Sequence, residues 1–192
     1  MTPVEVSAGG TDPALAGALE RARAACAEAA ARLASAGIEP DALAEYVPPR
    51  TILFVTRKAT MRPAGEAWRL GTVLLSTDGD LSTHGHTTRS AERGRPGYQS
   101  TSREERREIA AAALRGGYPV GTTVNYDAVP LPLTAAIAEP RSPEDELPIG
   151  YRDGEIRIRW RAGAPLEGAQ PLAAYLRERV GLLTDPTHGA GS

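Results

Sequence analysis

Large apolar side chains are scarce in this sequence, and their scarcity limits the size of the core that the chain can bury. Leu, Ile, Val and Phe together account for 35 of the 192 residues, about 18%, whereas alanine alone accounts for 33. Burial stabilises a fold by about 25 cal/mol per Å² of apolar surface, so small side chains contribute little. The net charge of −2 is too small to favour disorder. We therefore expect one folded domain with a thin core, supplemented by a dimer interface or a partner.

The composition predicts a soluble, cytoplasmic protein. The longest apolar runs, such as residues 52–55, are far shorter than the about 20 residues of a membrane-spanning helix. The first ten residues lack the basic start and apolar middle of a secretory signal. The single cysteine, Cys26, has no intramolecular disulfide partner, which fits a reducing compartment. We expect no membrane association and no cofactor.

Arginine richness carries no functional information in this sequence. There are 21 arginines and one lysine, but Ala, Gly, Arg and Pro together supply 90 residues, the pattern of a GC-rich bacterial gene. Residues 49–115 carry a net charge of about +5 between acidic flanks. The sequence pI near 6.0 argues against nucleic acid as a partner.

The order of predicted elements indicates a single α+β domain over residues 11–183, between tails at 1–10 and 184–192. An alanine-rich N-terminal helix begins at Pro13, with Thr11 or Asp12 as its cap, and ends near Ala36. A central helix begins at Ser102, where Ser102 and Glu105 fit a capping box, and a C-terminal amphipathic helix begins at Pro171.

The remaining segments predict a mostly antiparallel sheet of about five to six strands. Asp41–Tyr46 is read as a helical turn, and Thr51–Thr56 as a buried strand because it is short, apolar and β-branched. Asp-Gly turns indicate two hairpins, and residues 130–148 are rich in proline and acidic residues, which is typical of an unpacked connector. The predicted strands are 67–76, 81–88, 120–129, 149–152 and 155–161.

The N-terminal helix carries a stripe of small apolar residues with coiled-coil-like spacing: Leu15, Leu19, Ala22, Cys26, Ala29, Leu33 and Ala36. The first interpretation is that this stripe packs on the protein's own sheet. The alternative is a helix-to-helix contact with a second copy or a protein partner.

Known catalytic signatures are absent. The sequence has no G-x-x-x-x-G-K-[ST], G-x-G-x-x-G, H-E-x-x-H, C-x-x-C, G-x-S-x-G or S-x-x-K pattern. These absences favour a binding protein over the common enzyme classes.

The loop that precedes the central helix is the first candidate site. It contains Arg93, Arg95 and Tyr98, and then the hydroxyls of Ser100, Thr101 and Ser102 at the start of the helix. Arginine forks and free N–H groups at a helix N-terminus suit a phosphate or carboxylate. The other interpretation is a solvated loop before a well-capped helix.

The second candidate is the pair His84 and His86. On one strand, residues two apart share a face, so the two imidazoles would begin a metal site. The third ligand would have to come from elsewhere, with Asp78, Asp80 and Asp127 as candidates. The alternative interpretation is two exposed histidines on a hairpin.

Arg157, Arg159 and Arg161 alternate with Ile156, Ile158 and Trp160. This pattern predicts arginines on the outside of an edge strand and apolar residues inside, with Trp68 and Trp160 as core anchors. A nucleic-acid backbone is the less favoured partner for this stripe.

Two functional hypotheses from different classes remain. The first is a non-catalytic binding or assembly module that recognises an anionic ligand through the Arg93–Ser102 loop. The second is a small metal-dependent or acid–base enzyme, hydrolase-like, that uses His84 and His86. Nucleic-acid binding ranks third.

Overall fold

The computed structural model describes residues 12–52, 54–94, 100–139, 147–161 and 163–185. The helices are α1 (Pro13–Ser35), α2 (Thr101–Arg115) and α3 (Leu172–Thr184), with a 3₁₀ turn at Ala135–Ala138. The strands are β1 (Asp41–Val47), β2 (Arg50–Ile52), β3 (Val55–Arg57), β4 (Thr60–Leu70), β5 (Val73–Ser76), β6 (Leu81–Thr83), β7 (His86–Arg89), β8 (Thr123–Tyr126), β9 (Ile149–Arg152), β10 (Glu155–Ile158) and β11 (Gln170–Pro171). The predicted α+β class is confirmed.

Six strands form the main sheet in the order β6-β5-β4-β1-β8-β7, with all neighbours antiparallel except β1 and β8. The two strands at the ends of this order, β6 and β7, are separated in sequence by only His84 and Gly85. In addition, β6 hydrogen-bonds to the segment after β8, since Leu131 N–H donates to Leu81 O and Thr83 N–H to Val129 O. The sheet is therefore curled, with one concave face.

The larger core lies between α1, α3, the small β9–β10–β11 sheet and the convex face of β4–β6. Trp68, Leu70, Val73 and Leu75 contribute from the main sheet, each buried. Tyr175 of α3 ties this core to the β4–β5 turn, because its hydroxyl donates to Leu70 O and accepts from Thr72 N–H. A smaller core lies between α2 and β1, β4 and β8.

The stripe on α1 packs inside the protein. Asp12 Oδ1 accepts from Ala14 N–H, as the predicted cap requires, and Leu15, Leu19, Ala22, Cys26, Ala29 and Leu33 are all buried. The stripe faces mainly α3, with β10, the 3₁₀ turn and β5 beside it. Ala36 lies beyond the helix and is exposed. The predicted seam for a second copy or partner through Leu15, Leu19, Ala22, Cys26 and Leu33 is therefore wrong, because the chain itself covers those side chains.

Two segments adopt a different structure from the predicted one. Asp41–Val47 is the strand β1, not a helical turn, because it pairs with β4 on one side and β8 on the other. The segment 51–56 is not a buried strand but the end of a hairpin formed by β2 and β3, with Phe54 fully exposed.

The connector expected at 130–148 is packed in its first part, since Leu131 and Ile137 are buried in the larger core. Residues 140–146 lie outside the described residues, as do the predicted tails except Thr184 and Asp185. Among the described helices, none is long and apolar enough to cross a membrane.

Candidate functional site

A cavity of about 750 Å³, called the cleft below, opens between α1, β1, the β5–β6 hairpin and the segment that follows β8. Its floor is mostly apolar and includes Leu43 and Leu81, together with alanines and the Pro130–Leu133 segment. Leu43 of β1 and both Leu81 and Ser82 of β6 contribute to the lining, while α1 closes one side with Arg23 and Ala27.

The rim of the cleft is acidic. Among the described residues, Glu45, Asp78, Asp80 and Asp127 line it, against one arginine, Arg23. The Arg23 guanidinium donates to Leu133 O, and Glu45 pairs with Arg62 at 3.0 Å. Within the part of the chain that the structure describes, Asp78, Asp80 and Asp127 have no ion pair, so the rim carries uncompensated negative charge.

Asp127 is held at the rim by local backbone geometry. It follows β8 with a φ of 55°, a conformation that aspartate tolerates better than most residues. Its Oδ1 accepts from Tyr46 N–H at 3.4 Å, which ties the rim to β1. The sequence singled out Asp78, Asp80 and Asp127 as candidate third metal ligands.

A polar cluster lies on the concave face of the sheet, next to Leu43 of the cleft. Arg69 Nη2 donates to Asn125 Oδ1 at 2.6 Å and also to Thr87 Oγ1, which itself donates to Asn125 Oδ1 at 2.9 Å. Asn125 is completely buried and is the register partner of Leu43, a residue of the cleft floor. Asn125 Nδ2 has no hydrogen bond among the described residues. The sequence analysis missed this cluster, for which the lone asparagine in a strand was the available signal.

His84 belongs to this cluster. Its Nδ1 lies 3.3 Å from Arg69 Nη1, and its Nε2 is buried without a hydrogen bond to a described residue. Burial, and then the charge of Arg69, lower the pKa of His84 from 6.5, while the backbone of Val73 and Gly71 acts in the opposite direction. The neutral imidazole is therefore the favoured form.

His86 lies apart from His84, on the other face of the sheet. It is exposed and packs on the ring of Tyr126 with the centroids 5.4 Å apart, whereas His84 contacts Arg69. The two are not on one strand, because Gly85, with a φ of 50°, turns the chain between β6 and β7. The predicted shared face is therefore wrong. Among the described residues no group of three His, Cys, Asp or Glu side chains is arranged to hold a metal ion.

The predicted anion loop is described only in part. Arg95 and Tyr98 lie outside the described residues, and Arg93 forms an ion pair with Glu108 at 3.2 Å. Helix α2 begins at Thr101 with Ser100 as its cap, and the predicted capping box of Ser102 and Glu105 does not form. Instead Ser100 Oγ lies 3.4 Å from Ser102 Oγ, and Glu104 pairs with Arg107.

The predicted outward stripe of arginines is wrong at Arg159, which follows the end of β10 at Ile158, whereas Arg161 is exposed as predicted. Arg159 is buried, and its guanidinium donates to Ala164 O at 2.6 Å and to Leu147 O at 2.5 Å. Trp160 is 70% exposed and lies under the Arg161 guanidinium, so it is not a core anchor, whereas Trp68 is buried as predicted.

The hairpin formed by β2 and β3 projects from the end of the β1–β4 ladder and is called the arm below (residues 50–57). Its described side chains, Arg50, Thr51, Phe54, Thr56 and Arg57, are all exposed. In comparisons with known proteins, the chain shows no significant match to a family model, a curated protein or a solved structure.

Proposed function

We propose that this protein is a non-catalytic binding module whose site is the cleft, and that its ligand combines an apolar body with positive charge. The observation that carries this proposal is a cavity of about 750 Å³ with an apolar floor and a rim on which Asp78, Asp80 and Asp127 form no ion pair with any described residue. Ligand sites in proteins typically measure about 300–1,000 Å³ and combine an apolar lining with a few polar groups.

Charge selects the class of ligand. Asp78, Asp80 and Asp127 line an opening at which Arg23, the one cation of its described lining, is engaged by a backbone carbonyl. A cation near these carboxylates is attracted, and an anion is repelled. The apolar floor adds affinity for a hydrocarbon or aromatic body.

The composition of the described lining favours binding over catalysis. Its hydroxyls, Ser76 and Ser82, have no histidine or lysine beside them in the lining to act as a base. Ser76 Oγ is also engaged by Asp80 N–H at 2.9 Å.

Calorimetry with two short peptides tests the proposal. Arg-Phe-Arg amide should bind saturably, and Glu-Phe-Glu, which keeps the ring but reverses the charge, should not. The double variant Asp78→Lys/Asp80→Lys should lose binding at least tenfold. The double variant Glu105→Lys/Glu167→Lys changes the net charge equally at exposed positions outside the lining and should bind as the wild type does. Equal affinity for both peptides, or equal effects of both double variants, would contradict the proposal.

A second candidate function is anion binding near the start of α2. Ser100, Arg103, Arg106 and Arg107 line a shallow groove there, next to the loop that contains Arg93 and Arg95. Arg106 Nε is engaged by Ser102 O and Arg107 by Glu104, which leaves Arg103 as the most available cation of the groove. Titration with inorganic phosphate should give saturable heat that Arg103→Ala weakens at least tenfold; an unchanged affinity would refute this candidate.

A further inference from the structure

The tip of the arm contains the only phenylalanine of the chain, and that residue is completely exposed. Phe54 is 101% exposed at the two-residue connection between β2 and β3, where Ile52 pairs with Val55. Two-residue hairpin connections favour Asn-Gly or Asp-Gly, but this one contains Phe54. The local sequence at the tip is therefore a poor choice for a free turn.

The backbone at Phe54 adds a second departure from ordinary turn chemistry. Its φ is 68°, in the left-handed region, which a bulky side chain rarely adopts. A strained conformation that exposes a large apolar side chain costs free energy in the isolated protein, and such departures concentrate at functional positions. Burial of the Phe54 ring by a partner would offset this cost.

The base of the arm is basic. Arg50 and Arg57 are register partners, so two like charges lie directly opposite each other, an arrangement that destabilises a strand pair. Together with Lys58 they have no ion pair within the ranges that the structure describes. A negatively charged partner surface would relieve this repulsion.

We propose that the arm of one copy of this protein inserts Phe54 into the cleft of a second copy. The arm has an aromatic tip and a cationic base, and the cleft has an apolar floor and an acidic rim. The proposal rests on the proposed function and identifies the ligand of that site. In the assembled form, Arg50, Arg57 and Lys58 lie against Asp78, Asp80 and Asp127.

The distances along the chain are compatible with this arrangement. Strands rise about 3.3 Å per residue, so the tip lies about 10 Å beyond the Arg50–Arg57 pair, and the aromatic and cationic groups of the arm are well separated along it. Glu45 lines the cleft on β1, and the arm begins only three residues after Val47, where β1 ends. Arm and cleft are thus close neighbours, and a twofold axis between two copies would exchange both arms in a closed dimer.

Mass measurement tests the dimer. Native mass spectrometry and analytical ultracentrifugation at micromolar concentration should show a species of twice the 20.2 kDa chain mass. Phe54→Gly should be monomeric yet fully folded, because glycine adopts a positive φ without strain, and circular dichroism verifies the fold. Trp160→Ala, which removes another exposed aromatic ring, is the matched control and should stay dimeric. A monomeric wild type, or a dimeric Phe54→Gly variant, would overturn the proposal.

Mixing two defective variants tests the reciprocal contact. Phe54→Gly retains an intact cleft, and Asp78→Lys/Asp80→Lys retains an intact arm. Each alone should be monomeric, and an equimolar mixture should form a heterodimer through one arm and one cleft. Failure of the mixture to associate would contradict the insertion of the arm into the cleft.

The outcomes separate this inference from the proposed function. If the wild type is monomeric while Arg-Phe-Arg amide still binds the cleft, the second copy is the wrong partner and the proposed function stands. If the wild type is dimeric, its clefts are occupied, so the peptide is titrated into monomeric Phe54→Gly; saturable binding is expected there, and its absence contradicts the proposed function. If the wild type is monomeric and binds no peptide, both proposals fail. If monomeric wild type sediments with vesicles of anionic phospholipid and Phe54→Gly does not, the arm serves a membrane surface instead, and the inference is overturned.

Discussion

Arg69 Nη2 lies 2.6 Å from Asn125 Oδ1 and links β4 to β8 across the concave face of the curled sheet. The two residues are not on neighbouring strands, since β1 runs between them. Asn125 is fully buried, so its carbonyl oxygen depends on Arg69 and Thr87 for hydrogen bonds. The hydrogen bond between Arg69 and Asn125 therefore stabilises the curled shape of the sheet next to the cleft.

Arg69→Met should destabilise the fold by about 1–2 kcal/mol. The substitution keeps an unbranched apolar stem but removes a charged donor, and a hydrogen bond to a charged group contributes about 1.5–3 kcal/mol. Thr87 continues to satisfy Asn125 Oδ1, which limits the loss. Urea unfolding followed by tryptophan fluorescence measures the effect. Arg62→Met, which breaks the exposed pair with Glu45, should stay within about 0.5 kcal/mol of the wild type, and equal effects of the two variants would refute the role of Arg69.

His84 should make stability decrease as the pH falls below about 6.5. Burial and Arg69 lower its pKa in the folded state, so above the unfolded value of 6.5 the imidazole is neutral in both states. Between 6.5 and the lowered pKa, the unfolded chain binds a proton that the folded chain does not, and the free energy of unfolding falls. It levels off once the folded form is also protonated.

Urea unfolding at several pH values between 7.5 and 5, about one half-unit apart, measures this dependence. His84→Gln should flatten the decline, because the variant has no imidazole at this position. His86→Gln removes the exposed histidine on the Tyr126 ring and serves as the matched control, with the decline of the wild type retained. An unaltered decline in His84→Gln would assign the pH dependence to other groups.

Cys26 should be unreactive while the protein is folded. Burial, with the charge of Asp80 as a further cause, raises the pKa of its thiol to about 12, so the nucleophilic thiolate is scarce at neutral pH. Alkylation by iodoacetamide at pH 8 should therefore be slow and should accelerate only through the urea unfolding transition. Cys26→Ala/Ser35→Cys, with its thiol at an exposed position, should react rapidly in the native state. Rapid native labelling of the wild type would contradict the burial of α1 in the core.

Elements with strong local signals were predictable from the sequence. Asp12 and Pro13 specify the start of α1, and the Asp-Gly turns at 78–79 and 153–154 specify two hairpins. Strand β1 was not predictable in this way, because a helix-compatible sequence becomes a strand through its pairing with β4 and β8.

The predicted direction of a side chain was wrong where a strand ended before its alternating sequence pattern did. The alternation that would expose Arg159 stops with β10 at Ile158, after which Arg159 turns inward and Trp160 outward. The apolar run at 51–56 has the composition of a buried strand, and only its two-residue turn and basic flanks distinguish it as an arm. The cleft could not be predicted from local sequence patterns, because residues as far apart in the sequence as Arg23 and Leu133 form its walls.

Gly85 should be the glycine on which the curl of the sheet depends. Gly85 lies where the chain passes from β6 to β7. A Cβ at this position would overlap the backbone carbonyl oxygen of Tyr126 and the backbone of Asp127. Gly37 also has a positive φ, 68° against 50°, but a Cβ there would meet nothing. Comparison of Gly37→Ala with Gly85→Ala therefore separates the cost of backbone strain from the cost of overlap between the new Cβ and the neighbouring backbone.

Gly37→Ala should cost about 1–2 kcal/mol, the penalty of a left-handed conformation for a residue with a Cβ. Gly85→Ala should cost about 1–3 kcal/mol more, because the backbone of β8 must move to admit the new carbon. Urea unfolding measures both. Since Asp127 lines the cleft, Gly85→Ala should also weaken the binding of Arg-Phe-Arg amide, whereas Gly37→Ala should not. Equal stabilities with equal peptide affinities would show that the passage from β6 to β7 tolerates a side chain, and that the shape of the cleft does not depend on it.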